Sequence, residues 1–241
     1  NYCDFENMIR STFLCDDLHL SVATTGKGRP FIFQHGLCGT ASQPADVFPQ
    51  GIGWSCVTLE CRGHGLSESG NFAGFSIAQF TDDVGAYIEK LNVGPVLVGG
   101  ISMGAAIAMR VAVTRPELVS GLVIARPAWI DRPAPDNLRP NREIARLLAS
   151  YDPSEALLRF KASPTAARLK RDAPDNLASM VGFFGGLFAA NMQALLAAIA
   201  RDGPGLSRDQ IAGLTCRTLV IGNTRDAVHP IAMAKEIAAL I

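Results

Sequence analysis

The chain has 241 residues, 22 basic side chains against 22 acidic ones, 48% hydrophobic residues and 18% charged residues. That apolar fraction excludes a disordered chain, and the length excludes a small scaffold that depends on disulfide staples, leaving one large domain or two small ones. The balanced charge leaves no field to steer nucleic acid or an anionic membrane surface.

In chain order the pattern begins with short strands. Thr12–Cys15 and His19–Thr24 flank the acidic turn Asp16-Asp17, which predicts a hairpin. Short apolar runs follow, each closed by turn residues or a charge. Phe31–Phe33 runs into His35-Gly36, Cys56–Leu59 into Glu60, and Val96–Val98 into Gly99-Gly100. Leu122–Ala125 precedes Pro127, and Thr218–Ile221 precedes Gly222. Runs of this length, apolar on both sides, suit strands covered by helices on both faces. Ile77–Leu91 carries an apolar stripe of Ile77, Phe80, Val84, Tyr87, Ile88 and Leu91, and Ser102–Thr114 is small and apolar, as a helix buried against a sheet would be. Alternating strands and helices predict an α/β protein with a mostly parallel, doubly wound sheet and right-handed crossovers.

The rhythm breaks between Ala128 and Gly213. Prolines cluster at 127, 133, 135 and 140, and helical patterns follow at Asn141–Ser150 and Ser154–Lys161. The stretch Asn176–Ala200 carries no charge and contains Gly182 and Gly186 at G-x-x-x-G spacing. A membrane span needs about 20 mostly apolar residues. The pair Gly185-Gly186, with Asn176, Asn191 and Gln193, instead predicts two buried helices broken near Gly185. Residues 129–211 thus read as a helical insertion in a core formed by 1–128 and 212–241. No internal repeat is visible.

The cysteines Cys3, Cys15, Cys38, Cys56, Cys61 and Cys216 form no C-x-x-C pair, and the opening NYCDFENMIR lacks a secretory pattern. Free thiols in a reducing, cytoplasmic compartment are expected. No Cys or His pair has metal-ligand spacing, and neither a G-x-G-x-x-G fingerprint nor a Walker motif occurs, so no metal or cofactor is implied.

Gly100-Ile101-Ser102-Met103-Gly104 matches G-x-S-x-G directly after a predicted strand and at the start of a predicted helix. In such an elbow the serine sits on a strained turn, its flanking glycines avoid clashes, and the helix N-terminus favours developing negative charge. The plainer alternative is a Gly-rich turn with a helix-capping serine. His35-Gly36-Leu37-Cys38-Gly39 follows another strand, so the backbone N–H groups of Leu37 and Met103 could form an oxyanion hole. His35 reads as a structural hydrogen-bonding residue. Glu60-Cys61-Arg62-Gly63-His64-Gly65 reads as a braced turn rather than as chemistry. Asp226, in Gly222-Asn223-Thr224-Arg225-Asp226-Ala227-Val228-His229-Pro230 after the last strand, could orient a histidine; as a plain turn it would only cap the loop.

Taken in this order, HGLCG, ECRGHG, GISMG, a helical insertion and GNTRDAVHP, the sequence over residues 12–241 resembles the α/β-hydrolase superfamily, more narrowly its single-domain esterase and carbon–carbon hydrolase branch. The resemblance implies Ser102 as nucleophile, Asp226 as triad acid, the Leu37 and Met103 amides as oxyanion hole, and the insertion as a cap. Gly36, Cys38, Phe183 and Phe184 would then touch a small, mostly apolar substrate, with Leu187 and Phe188 beside them; plain packing of the cap is the alternative for those aromatics. Aspartate would stand at position 102 in haloalkane dehalogenases and epoxide hydrolases. Esterase, thioesterase, lactonase, cofactor-free haloperoxidase and carbon–carbon hydrolase chemistry all remain open.

One feature departs from the family. It places the triad histidine after one further strand, whereas only Ile231–Ile241 follow the acid loop, and these read as a helix. None of the four histidines, His19, His35, His64 and His229, stands at the expected place. The triad histidine is therefore expected outside these residues, with the last strand and roughly 25–40 residues on ordinary element lengths. His229 is expected to be a structural or pocket residue, with a substitute base as the lesser reading. The alternative function is a ligand-binding or sensor protein on a hydrolase scaffold without the base. The sequence is silent on oligomeric state.

Overall fold

The computed structural model describes residues 8–185 and 189–241. Cys3, Gly186, Leu187 and Phe188, used in the sequence reading, lie outside the described residues. The centre is a seven-stranded sheet, formed by β1 (Ile9–Cys15), β2 (Leu18–Gly26), β3 (Arg29–Gln34), β4 (Trp54–Leu59), β5 (Val96–Ile101), β6 (Val119–Ala125) and β7 (Arg217–Ile221). Its order is β1-β2-β4-β3-β5-β6-β7. β1 pairs antiparallel with β2, and β2 with β4; the pairs from β4 to β7 are all parallel. This is the mostly parallel sheet that the sequence resemblance implies, with an N-terminal hairpin turned at Asp16 with φ 52°.

The helices are α1 (Ser42–Val47), α2 (Ile77–Leu91), α3 (Met103–Thr114), α4 (Arg139–Ser150), α5 (Pro153–Lys161), α6 (Pro164–Asp172), α7 (Pro174–Gly182), α8 (Ala189–Ile199), α9 (Arg208–Ala212) and α10 (Ile231–Leu240). α2 begins at Ser76, whose side chain accepts from the Gln79 N–H, and ends at Asn92 in the left-handed region, so both ends satisfy orphan backbone groups. α3 buries Met103 through Met109 without a break, because it lies against β3, β5 and β6 with no solvent face along that run. α4–α9 lie between β6 and β7. Four of them, α4 to α7, carry proline in the first turn, where the missing N–H costs nothing. The uncharged stretch divides into α7 and α8, and no helix of the described residues is long and apolar enough to cross a membrane.

Helices on both faces were expected for every strand. β7 departs from this: Leu219 and Ile221 are 56% and 45% exposed, on a face shared with Phe31, Phe33 and Val123 and flanked by Val47, Phe48, Pro49 and Ile52 of α1 and the loop after it. The opposite face of the sheet is closed by α2, α3 and the main core cluster.

The glycines of the elbow are fixed by close backbone approach. A Cβ on Gly104 would lie 2.3 Å from the Gln34 carbonyl oxygen, and one on Gly100 would lie 2.3 Å from the Gly104 carbonyl carbon. Both neighbours are backbone and cannot rotate away. Gly104→Ala is expected to cost about 1–3 kcal/mol, the range of an overpacked core, read as a lower denaturant midpoint at unchanged slope.

Candidate active site

β3, β5, β6 and β7 are successive parallel neighbours, so the loops leaving their C-terminal ends emerge side by side along one edge of the sheet. Those loops carry Gly36–Gly39, Ser102, Arg126 and Asp226–His229. Sequence separation therefore says little about distance here; strand order brings them together.

Ser102 sits between β5 and α3 with φ 58° and ψ −110°. This is a positive φ on a residue with a side chain, which costs on the order of 1–3 kcal/mol and persists only where the surroundings impose it. They do: the Ser102 N–H donates to Ala125 O at 3.0 Å, and its own carbonyl accepts from Ala105 and Ala106 at 3.1 and 3.2 Å. Met103 is the first residue of α3, so its N–H has no partner within the helix. The Leu37 loop is held open beside it. Gln43 Oε1 accepts the Gly36 N–H at 2.6 Å, and the Gly39 N–H donates back to Gly36 O at 3.0 Å.

Ser102, Gly36, Leu37 and Cys38 line one cavity of about 190 Å3. Its other walls come from Gln43, Ile101, Arg126, Trp129, Leu138 and Val228, from α4 through Asn141, from α7 through Asn176, Ser179 and Met180, and from Phe183 just after α7, next to His229. Phe183, expected at the substrate, lines this cavity. Phe184 does not: it is 6% exposed and packs on Phe160 with ring centroids 5.6 Å apart. One residue's advance along the chain turns its side chain into the packing of the inserted helices. The sequence reading missed Asn141, Asn176 and Arg126. Their polarity was a visible signal, but nothing local tied them to the elbow.

Asp226 is buried at 8% exposure and gathers five donors. Its Oδ2 accepts from Arg126 Nε and one terminal nitrogen at 2.8 and 2.6 Å. Its Oδ1 accepts the N–H groups of Val228 and His229 at 3.1 and 2.9 Å. The fifth donor is His229 Nδ1, 3.0 and 2.9 Å from the two oxygens. Burial works to raise this carboxyl, but the His229 hydrogen bond and charge, then the backbone N–H and Arg126, together hold it well below the usual carboxylate range. The loop is pinned from outside as well: Asn176 Oδ1 accepts the Ala227 N–H at 2.7 Å, and Asn137 Nδ2 donates to Val228 O at 2.6 Å. The triad histidine is expected outside residues 1–241; within them, the ring against this carboxylate is His229, which the Asx-type turn at Asp226 folds back over it.

The other histidines are placed differently. His35 is fully buried; its Nδ1–H donates to Gly36 O at 2.8 Å, and its Nε2 accepts the Cys61 N–H at 3.0 Å. Burial lowers its pKa, and lowers that of His64, whose tilted ring lies 4.7 Å away, further still. Both are neutral braces between the loops after β3 and β4. In the second loop, Glu60 accepts the N–H groups of Ala41 and Leu66, each at 2.9 Å, and the Arg10 guanidinium at 3.0 Å. His19 is exposed on the hairpin, beside Glu68. Burial pushes the Cys38 thiol far above its ordinary value, so it carries no thiolate nucleophile. Cys15, Cys38, Cys56, Cys61 and Cys216 are all free thiols. Among the described residues no group of three or more His, Cys, Asp or Glu could hold a metal ion.

Comparison with known proteins adds the following. A family model described as the alpha/beta hydrolase fold matches residues 29–241. BpoC of Mycobacterium tuberculosis, whose name assigns it provisionally to the non-heme bromoperoxidases, is 37% identical over 111 residues, covering 44% of this chain and 41% of that protein. The (E)-2-((N-methylformamido)methylene)succinate hydrolase of Acinetobacter baylyi is 33% identical over 103 residues, 41% of this chain and 38% of that one. These matches therefore span about two fifths of the length of such relatives. Among solved structures, the enol-lactonase of Burkholderia xenovorans superposes with a TM-score of 0.70 at 21% identity, over 96% of this chain and 88% of that chain. The BpoC structure superposes with a TM-score of 0.65 at 26% identity, over 92% and 83%.

Proposed function

The chain belongs to the α/β-hydrolase fold family, and on that premise we propose that it is a serine hydrolase acting on a carboxylic ester or related carbonyl bond of a small, mostly apolar substrate. The observation that carries this reading is Ser102 at φ 58°, on a strand-to-helix turn that opens into a cavity. Ser102 Oγ attacks the carbonyl carbon. The Leu37 and Met103 N–H groups receive the oxyanion, a stabilisation of several kcal/mol in a site shielded from water. A histidine held by Asp226 takes the serine proton.

The inserted helices act as a cap that closes the cavity from above. Its volume of about 190 Å3 lies below the roughly 300–1,000 Å3 of pockets for drug-sized ligands, which favours a small acyl group. Trp129, Leu138, Met180 and Phe183 would enclose that acyl group, while Asn141 Oδ1, buried without a partner, would accept from a polar substituent.

Relatives named as a hydrolase and a lactonase agree with carbonyl chemistry. The test is turnover on a series of p-nitrophenyl esters and small lactones of increasing acyl length. The expected result is release of the acid with a preference for short chains. Saturable binding of these compounds with no turnover would replace this reading with a ligand-binding role.

A further inference from the structure

We infer that the cavity selects a hydroxyl group on the acyl chain of its substrate, bound by Asn141 and Asn176 of the inserted helices; the inference rests on the hydrolase reading above. The two residues hold matching places. Each is the third residue of its helix, each helix carries proline in its first turn, and each asparagine lines the cavity that Ser102 opens into. Both are 4% exposed, so neither can turn to bulk water for a partner.

Their amides are committed to different degrees. Asn137, four residues before Asn141, is used for structure: its Nδ2 donates to Ala128 O at 3.0 Å and to Val228 O at 2.6 Å. Asn176 is half committed, because its Oδ1 accepts the Ala227 N–H at 2.7 Å. That backbone donor demands the oxygen, so the orientation of the amide is fixed and Nδ2 is what Asn176 has left to offer. Asn141 is uncommitted: its Oδ1 is buried without a partner. α5 and α6 use short polar side chains at their starts, Asp152 and Ser163, to accept backbone N–H groups, whereas α4 has no side-chain cap. A buried acceptor left unpaired costs stability in the free protein, and such a group is retained where a ligand supplies the donor.

One substrate group satisfies both amides. It has to donate to Asn141 Oδ1 and accept from Asn176 Nδ2, and a hydroxyl is the smallest group that does both. A carboxamide matches the polarity as well, but a cavity of about 190 Å3 favours the single oxygen. A carboxylate fits poorly. It has no proton for Asn141, and Arg126, the cation among the described lining residues, is already paired with Asp226 at 2.6 and 2.8 Å. A methyl group in place of the hydroxyl leaves both amides unpaired inside the closed complex, and that penalty is what discriminates against it. The two asparagines thus decide which acyl group enters, and the attack by Ser102 is a separate matter.

The test uses the full chain and two p-nitrophenyl esters that differ at one position, 3-hydroxybutanoate and 3-methylbutanoate. The wild type is expected to prefer the hydroxy ester by about 10–100-fold in kcat/KM, the scale of a buried polar group left unpaired. Asn141→Leu keeps the branching without a polar atom, and Asn141→Ala adds no bulk; both are expected to lose the preference. The ratio is taken within each variant, so a smaller folded fraction cancels. Asn176 is left unchanged, because its Oδ1 also holds the loop that carries Asp226. A wild type that treats the two esters alike, or a preference that survives in both Asn141 variants, overturns the inference while the hydrolase reading stands. Turnover of neither ester by the wild type overturns both.

Discussion

Ser102→Gly is expected to abolish turnover while making the protein more stable. Loss of the nucleophilic oxygen removes about 10⁴–10⁶-fold of rate, the scale seen when a nucleophile that works as a unit with its base is deleted. The backbone effect has the opposite sign. At φ 58° the serine side chain is strained, and glycine populates this region freely. Glycine also gives the unfolded chain more entropy to lose, which offsets part of the gain. The net expectation is a stabilisation of up to about 1 kcal/mol, or a Tm higher by about 2–4 °C for a chain of this size. Ser102→Ala is expected to lose the same activity with no gain, since alanine keeps the Cβ. Thermal melts and ester turnover on the two variants check this. A glycine variant that melts lower than the alanine variant would contradict the elbow strain.

Asp83→Ala is expected to be among the most destabilising single changes in the chain, at about 3–5 kcal/mol. Asp83 lies on α2 with its side chain 1% exposed and receives Arg62 in a bidentate pair, both bonds 2.7 Å. Gln79 donates to it at 3.0 Å and the Cys15 thiol at 3.5 Å. It thus ties the loop after β4, the N-terminal hairpin and α2 at one point. Burial, with Asp83 next, pushes the Cys15 thiol up to about 11. Removing the carboxylate leaves Arg62, 12% exposed, with only the exposed Asp16 as partner, and an uncompensated cation beneath the surface is the costly outcome. Glu89→Ala provides the contrast. Glu89 pairs with Arg115 at a similar 2.7 Å, but its side chain is 55% exposed, and the loss is expected within about 0.5 kcal/mol. Urea titrations of both variants measure the difference; equal midpoints would show that the buried pair contributes nothing beyond a surface one.

Asp226 gives the stability of the site a pH sign. Its carboxyl is held below the ordinary range in the folded chain, so its contribution is fully present above that range and is lost as pH falls through the folded value. Acid is therefore expected to loosen the loop that carries His229.

The sheet was legible because its strands are short apolar runs that end in glycine, proline or a charge, and such runs admit few other readings. Ser102 was legible because the tight turn requires Gly100 and Gly104, and that requirement is written into the sequence as a pattern. α1 was not, since six residues carry no helical period. α6 was not, because its charged surface face hides the two positions, Ala166 and Leu169, that are buried. The polar walls of the cavity escaped for another reason. Asn141 and Asn176 act on the site from helices 39 and 74 positions beyond Ser102 by sequence numbering, and only the packing of the insertion over the sheet brings them there. Arg126 and Asp226, 100 positions apart, meet only because β6 and β7 are neighbours.

The most direct measurement is mass-spectrometric mapping of the full chain after brief exposure to a fluorophosphonate or a p-nitrophenyl ester quenched in acid. The account predicts a single adduct on the peptide that contains Ser102, absent from Ser102→Ala. No adduct at Ser102, or one on another residue that survives in Ser102→Ala, would contradict it.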